Sequence, residues 1–183
     1  MSKHILFIII ILLVKITTGQ QVFMTRTGTA SFVSDAPLEV IKAQSEEVLG
    51  AIDPVKKTFA FTIDNKSFKG FNSALQQEHF YENYMEVQIY SSSTFKGKII
   101  EDIDMNSAQE QTLRAKGILE IHGVAQERII KGTIRIIDGK IRLKADFTVH
   151  LEDHQIKVPK VVNQKIAESI EVSVTAELIR KSE

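Results

Sequence analysis

The sequence predicts an all-β domain of about eight antiparallel strands, with one or two short helices. Three observations carry that prediction. Apolar and polar residues alternate with a period of two in several separate runs, most clearly at residues 58–63 and 141–151. In the second run Ile141, Leu143, Ala145, Phe147, Val149 and Leu151 share one face, and Arg142, Lys144, Asp146, Thr148 and His150 the other. Successive side chains of a strand point to opposite sides, so each run has one dry and one wet face. Asp138-Gly139, between two such runs, is the strongest short hairpin signal in the chain. Finally, the helix–strand alternation of parallel βαβ units is missing, as are repeats and low-complexity linkers.

Taken in order, the first strand is expected over residues 22–34, where Ala30 and Phe32 oppose Thr29 and Ser31. Pro37 reads as an interruption, followed by a less regular stretch to Gln44 and a second strand over 47–53. Asp53-Pro54 signals a turn into the strand at 57–64. Residues 71–84 break the rhythm, with Phe71, Leu75 and Phe80 at roughly helical spacing and Asn72 or Ser73 able to cap a short helix. Met85, Val87 and Ile89 then alternate with Glu86 and Gln88 like a strand. Further strands are expected over 95–99, 113–121, 128–137, 140–151 and 169–179. In the last, Ile170, Val172, Val174, Ala176 and Leu178 face inward. Such strands pack as a sandwich or close as a barrel, and periodicity alone does not choose.

Length and composition agree with one soluble domain. The chain has 183 residues, 43% hydrophobic and 25% charged, which suits a packed core and excludes a disordered chain. Residues 1–19 read as a secretory signal peptide: Lys3 and His4, an apolar run from 5 to 14, then small residues at Thr17-Thr18-Gly19. That run is short for a membrane span. The mature domain is therefore expected over 20–183. Removing Lys3 and Lys15 from 23 basic residues leaves 21 against 23 acidic ones, a net charge of −2. Such a chain builds no broad basic surface, which argues against a nucleic-acid partner. With no cysteine there is no disulfide, and export without disulfides fits a bacterial periplasm better than a small eukaryotic secreted domain. Asn65-Lys66-Ser67 matches a glycosylation acceptor, a pattern that arises often by chance.

Several stretches, in order, resemble the YceI family of lipocalin-like, polyisoprenoid-binding proteins, over roughly residues 24–180. They are Gly28-Thr29-Ala30-Ser31-Phe32-Val33-Ser34-Asp35-Ala36-Pro37-Leu38-Glu39, Phe68-Lys69-Gly70-Phe71-Asn72-Ser73 and His79-Phe80-Tyr81-Glu82-Asn83-Tyr84-Met85-Glu86. Gly117-Ile118-Leu119-Glu120-Ile121-His122-Gly123-Val124 and the segment from Phe147 to Pro159 complete the set. Ser91, Glu120 and His154 depart from the family pattern, where proline, threonine and tyrosine are common. The resemblance implies an eight-stranded antiparallel barrel with a long apolar tunnel, in a periplasmic or secreted protein able to hold an isoprenoid or fatty-acyl chain.

The residues expected around such a guest are Phe32, Phe59, Phe61, Phe71, Leu75, Phe80, Phe95, Leu119, Ile121, Phe147 and Val149. Phe71 and Leu75 could form a lid on a short helix, or simply dock its apolar face. His79 and His122 are candidates for contact with a ligand head group. His150 and His154 are four apart, a zinc spacing only on a helix, and no metal site is expected. No nucleophile elbow, phosphate loop or thiol is present, so no enzyme and no cofactor is expected beyond a bound polyisoprenoid, quinone-like or fatty-acyl lipid. The partner expected is that apolar molecule, with transient membrane contact and a homodimer both left open. The competing expectation is a structural or stress-associated interaction protein whose barrel interior is filled.

Overall fold

The computed structural model describes residues 21–181; the expected leader lies outside the described residues. Eight strands form one closed antiparallel barrel: β1 (Phe23–Ala36), β2 (Glu39–Asp53), β3 (Thr58–Asp64), β4 (Ser92–Ile99), β5 (Gln111–Ile121), β6 (Val124–Ile137), β7 (Lys140–His150) and β8 (Ser169–Arg180). Each strand pairs with its chain neighbours, and β1 pairs with β8 to close the ring. Closure removes the sheet edges everywhere except at one incomplete seam, between β6 and β7. The barrel anticipated from the resemblance is the fold observed.

The up-and-down order sorts the connections onto two ends. The 53–58 turn, the 99–111 loop and the Asp138-Gly139 turn lie at one end, with both ends of the described chain. At the other are the long insertions 65–91 and 151–168 and the His122-Gly123 hairpin turn. Both two-residue turns have positive φ at both positions, 52° and 73° at Asp138-Gly139 and 52° and 70° at His122-Gly123. That geometry matches the twist of the strands they join.

Two expected elements differ in the structure. β2 starts at Glu39, eight residues earlier than the pattern suggests, and Pro37-Leu38 is the hairpin turn rather than an interruption. The strand was masked by a bulge. Gly28 pairs with Val48 but Ala30 pairs with Ser45, so one extra residue of β2 sits opposite β1. Ala43 and Ser45 are buried before it and Val48 and Ile52 after it, which shifts the alternation by one and hides the period. The expected strand at 85–89 is a chain of turns instead. Met85 N donates to the Phe80 carbonyl and Val87 N to that of Tyr81, both at 2.9 Å. Met85 and Val87 alternate because both reach down onto Ile156.

The larger of two buried clusters fills the end that bears Asp138-Gly139. Ile52, Ile134, Ile141 and Leu178 are at most 2% exposed there, packed with Phe23, Phe59, Ile99 and Leu113. Gly97 and Gly117 face each other across β4 and β5. A Cβ on Gly97 would lie 2.1 Å from the Lys116 carbonyl oxygen, so the two backbones approach too closely for side chains.

Between β6 and β7 the ladder is incomplete. It runs only from Gly132↔Ala145 to Ile137↔Lys140. Beyond Gly132 the two strands part, β6 continuing with β5 and β7 with β8. The helical turn Leu151–His154 closes the gap. Gln126 Nε2 donates to the Asp153 carbonyl at 2.7 Å, Arg128 pairs with the Asp153 carboxylate, and His154 Nδ1 lies 3.0 Å from the Val124 carbonyl oxygen.

Candidate functional site

Above the packed end the barrel is hollow. A cavity of about 540 Å³ is lined almost wholly by carbon. None of the ten residues of the packed cluster reaches it, so it is a blind lumen rather than the long tunnel expected. Phe61, Phe95 and Leu119 form its floor, with Phe61 and Phe95 resting on Phe59 at ring separations of 6.3 and 4.7 Å. Phe147 and Val149 of β7, with Ile170, Val172 and Val174 of β8, make one wall. Ala30, Phe32, Ile41 and Val48 make the opposite one.

The roof comes from the insertion after β3. Ser73 caps a six-residue helix α1 (Ala74–His79), its hydroxyl accepting from Gln76 N at 3.2 Å. The chain then widens into a turn over Phe80–Tyr84, closed by the Met85 N to Phe80 carbonyl bond. The widened turn places Phe80 and Tyr84 on the lumen. Phe80 stacks on Phe32 at 5.4 Å and packs against Phe71 at 5.1 Å and Phe68 at 5.8 Å. The Tyr81 hydroxyl fixes this cluster, lying 2.8 and 2.7 Å from the carbonyl oxygens of Lys66 and Phe68 and accepting from Gln77 Nε2 at 2.7 Å.

Polar groups inside the lumen are spent on one another. Asn65 is fully buried; its amide donates to the Tyr90 carbonyl at 2.8 Å and its Oδ1 accepts from Ser93 Oγ at 2.9 Å. The glycosylation pattern at this residue therefore marks a buried structural asparagine. Its backbone N–H also donates to the Ser91 carbonyl, which anchors the chain ahead of β4. Burial raises the pKa of the Tyr84 phenol above its ordinary value. Charged or strongly polar side chains gather at the mouth: Glu39, Gln76, His79 and Lys165. Gln76 Nε2 donates to Glu39 Oε1 at 2.5 Å across it.

Ten of the residues singled out from the sequence line this lumen: Phe32, Phe61, Phe71, Phe80, Phe95, Leu119, Ile121, Phe147, Val149 and, at the mouth, His79. Three do not. Phe59 is 6% exposed beneath the floor, part of the solid core. Leu75 points off α1 into solvent at 59% exposure, so α1 does not bury that residue over the lumen. His122 sits in the hairpin turn, with Nε2 2.6 Å from Glu86 Oε2 and Nδ1 3.2 Å from the His154 carbonyl oxygen. Its ring packs edge-on against Tyr90 at 4.6 Å, holding it to the clasp rather than the cavity. The lining residues Ile170, Val172, Val174 and Leu151 carried a clear period-two signal, as did Met85 although it lies in a turn, whereas Ile156, Val162 and Ile166 come from a loop with no such signal.

His150 Nδ1 bonds Ser169 Oγ at 2.8 Å and His154 is fully buried, so the two do not share a site. Among the described residues no group of three or more His, Asp or Glu side chains is placed to hold a metal ion.

A sequence profile described as a YceI-like domain matches residues 16–178. No curated protein matches the chain. Among solved structures, a polyisoprenoid-binding domain from Saccharophagus degradans, described as implicated in plant cell wall breakdown, superposes with a TM-score of 0.75 at 13% identity. That match covers 88% of this chain and 99% of the other. BcnA of Burkholderia cenocepacia gives 0.67 at 14% identity, over 82% of this chain and 95% of its own. A YCEI protein of Campylobacter jejuni gives 0.55 at 20% identity, over 72% and 78%. At these identities the likeness is one of fold.

Proposed function

The chain belongs to the YceI-like family, and from that premise we propose that it is an exported binding protein for one long apolar chain, isoprenoid or fatty-acyl. The observation that carries this reading is the dry, blind lumen whose charged lining residues, Glu39 and Lys165, both lie at one mouth. A hydrocarbon tail would lie along the aromatic floor and walls, and its polar head would rest among Glu39, Gln76, His79 and Lys165. The lumen's volume of about 540 Å³ lies within the range of small-molecule pockets. Burying roughly a dozen methylenes contributes about 10 kcal/mol, at ~0.8 kcal/mol per group, against an association cost of about 4–15 kcal/mol. Tail length therefore decides affinity. The leader-like residues 1–19 support a periplasmic or secreted location. The polyisoprenoid-binding description of the Saccharophagus degradans domain supports an isoprenoid among the candidate ligands. The filled-barrel reading fits only the closed end.

Native mass spectrometry of gently purified protein tests the proposal, with lipid extraction to identify the passenger. We expect a bound mass of a lipid with a single long tail. A protein that stays empty, and takes up neither prenyl nor acyl lipids when they are offered, rules the reading out.

A further inference from the structure

The mouth of the lumen is ringed by apolar side chains turned outward. Leu38 is 66% exposed, Leu75 59%, Val40 44% and Val161 89%. Each is adjacent or next-but-one in sequence to a mouth or lining residue: Leu38 and Val40 flank Glu39, Leu75 precedes Gln76, and Val161 precedes Val162. Three hydrogen bonds tie their segments into one face. Leu38 N donates to the Gln164 carbonyl at 2.8 Å, Asn72 Nδ2 to the Val40 carbonyl at 3.0 Å, and Gln76 Nε2 to Glu39 Oε1. These linked segments form a rim at the mouth, whereas Ile118, Ile129 and Ile179 lie on the barrel strands.

Charge is distributed unevenly around that rim. The strap of residues 155–167 carries Lys157, Lys160 and Lys165, all exposed, and no carboxylate. None of the three takes part in an ion pair among the described residues. A near-naked valine between unpaired lysines is costly to leave in water and gains from a surface that is apolar inside and anionic outside. The barrel wall itself cannot enter a bilayer: Lys96, Lys98, Arg114, Lys116, Arg142 and Lys144 project from its outer face. Only the rim can.

We propose that the strap and the Leu38 turn dock the mouth of the lumen on an anionic phospholipid bilayer. Val161 and Leu38 enter the headgroup layer while Lys157 and Lys160 meet lipid phosphates. The docking surface stands on these exposed residues; only its purpose, passing a tail between bilayer and lumen, rests on the proposed function.

Vesicle flotation of the full chain lacking its leader tests this, using phosphatidylcholine vesicles with and without phosphatidylglycerol. We expect the protein to float with the anionic vesicles, and to be released by raised salt. Lys157→Gln with Lys160→Gln should weaken flotation roughly thirtyfold, as two lost lysine–phosphate attractions imply. Val161→Asp should abolish it. Lys157, Lys160 and Val161 are all exposed, so both variants should keep the wild-type melting temperature and any retained lipid mass. Equal binding to neutral vesicles, no binding to either, or wild-type flotation of the variants overturns the docking surface. Capture of a protein partner by the rim in place of vesicle binding would overturn it too. If flotation holds but no lipid is ever retained in the lumen, the docking surface survives and the proposed function falls.

Discussion

The ring of Phe61 occupies the space that a side chain on Gly50 would need. The two residues pair across β2 and β3, and a Cβ on Gly50 would lie 2.1 Å from Phe61 Cδ1. Because residue 50 has no side chain, the Phe61 ring can lie across Gly50, tilted 37° to the Phe59 ring, and form the lumen floor. A glycine in mid-strand is otherwise unfavourable, and here it marks the level at which solid core gives way to cavity.

Gly50→Ala should therefore destabilise the barrel by about 1–3 kcal/mol through overpacking, a fall of roughly 2–10 °C in melting temperature. Combining it with Phe61→Leu should recover part of that loss, because the clashing ring is gone. A double-mutant cycle by urea denaturation measures the coupling, and strictly additive effects would refute the steric link.

Filling the lumen should separate binding from stability. Val172 lines the cavity opposite open space, between Phe32 and Phe147 in the β1 and β7 registers. If the lumen holds a lipid as proposed, Val172→Trp should expel it while changing stability by no more than about 1–2 kcal/mol, since the added ring enters existing volume. The chain has no other tryptophan, so blue-shifted emission would report directly that the ring sits in a dry site. Undiminished lipid retention would show that the ligand lies elsewhere.

His154 makes stability fall in mild acid. Its Nδ1 faces the Val124 carbonyl oxygen and so carries the proton, leaving Nε2 buried without a partner. Burial foremost, with Arg128 adding to it, holds the imidazole pKa below its ordinary value despite Asp153 nearby. The unfolded chain therefore binds this proton more readily than the folded one. The stability is fully present above an unfolded pKa of about 6.5 and is lost as pH falls from there toward the folded value. Melting temperatures between pH 7.5 and 5 should show that slope, and His154→Leu should flatten it. Asp146, held low by Ser173 and then Lys144, and Glu101, held low by Arg114, act only at more acid pH.

The seam between β6 and β7 should open before the barrel does. Arg128 and Asp153, each about one-third exposed, bridge it. Arg128→Ala should cost about 1 kcal/mol globally, as for a partly exposed ion pair. Amide hydrogen exchange at residues 151–156 should rise at least about tenfold, while β7–β8 amides at Ile141 and Leu178 stay protected. Uniform loss of protection would mean that the turn is not a separate unit.

The sequence by itself determined most of the strands, their inward faces and the Asp138-Gly139 turn, and narrowed the helix cap to Asn72 or Ser73, because each depends on parity or on a few neighbouring residues. It could not separate Phe59 from Phe61. The two share a face of one strand and differ only in height along the barrel, one beneath the floor and one forming it. Local pattern reports which way a side chain points, but what it meets there is supplied by seven other strands. For the same reason the β2 bulge, the Met85 and Val87 anchors, the clasp of His122 on Glu86 and the seam plugged by His154 were decided by tertiary packing alone.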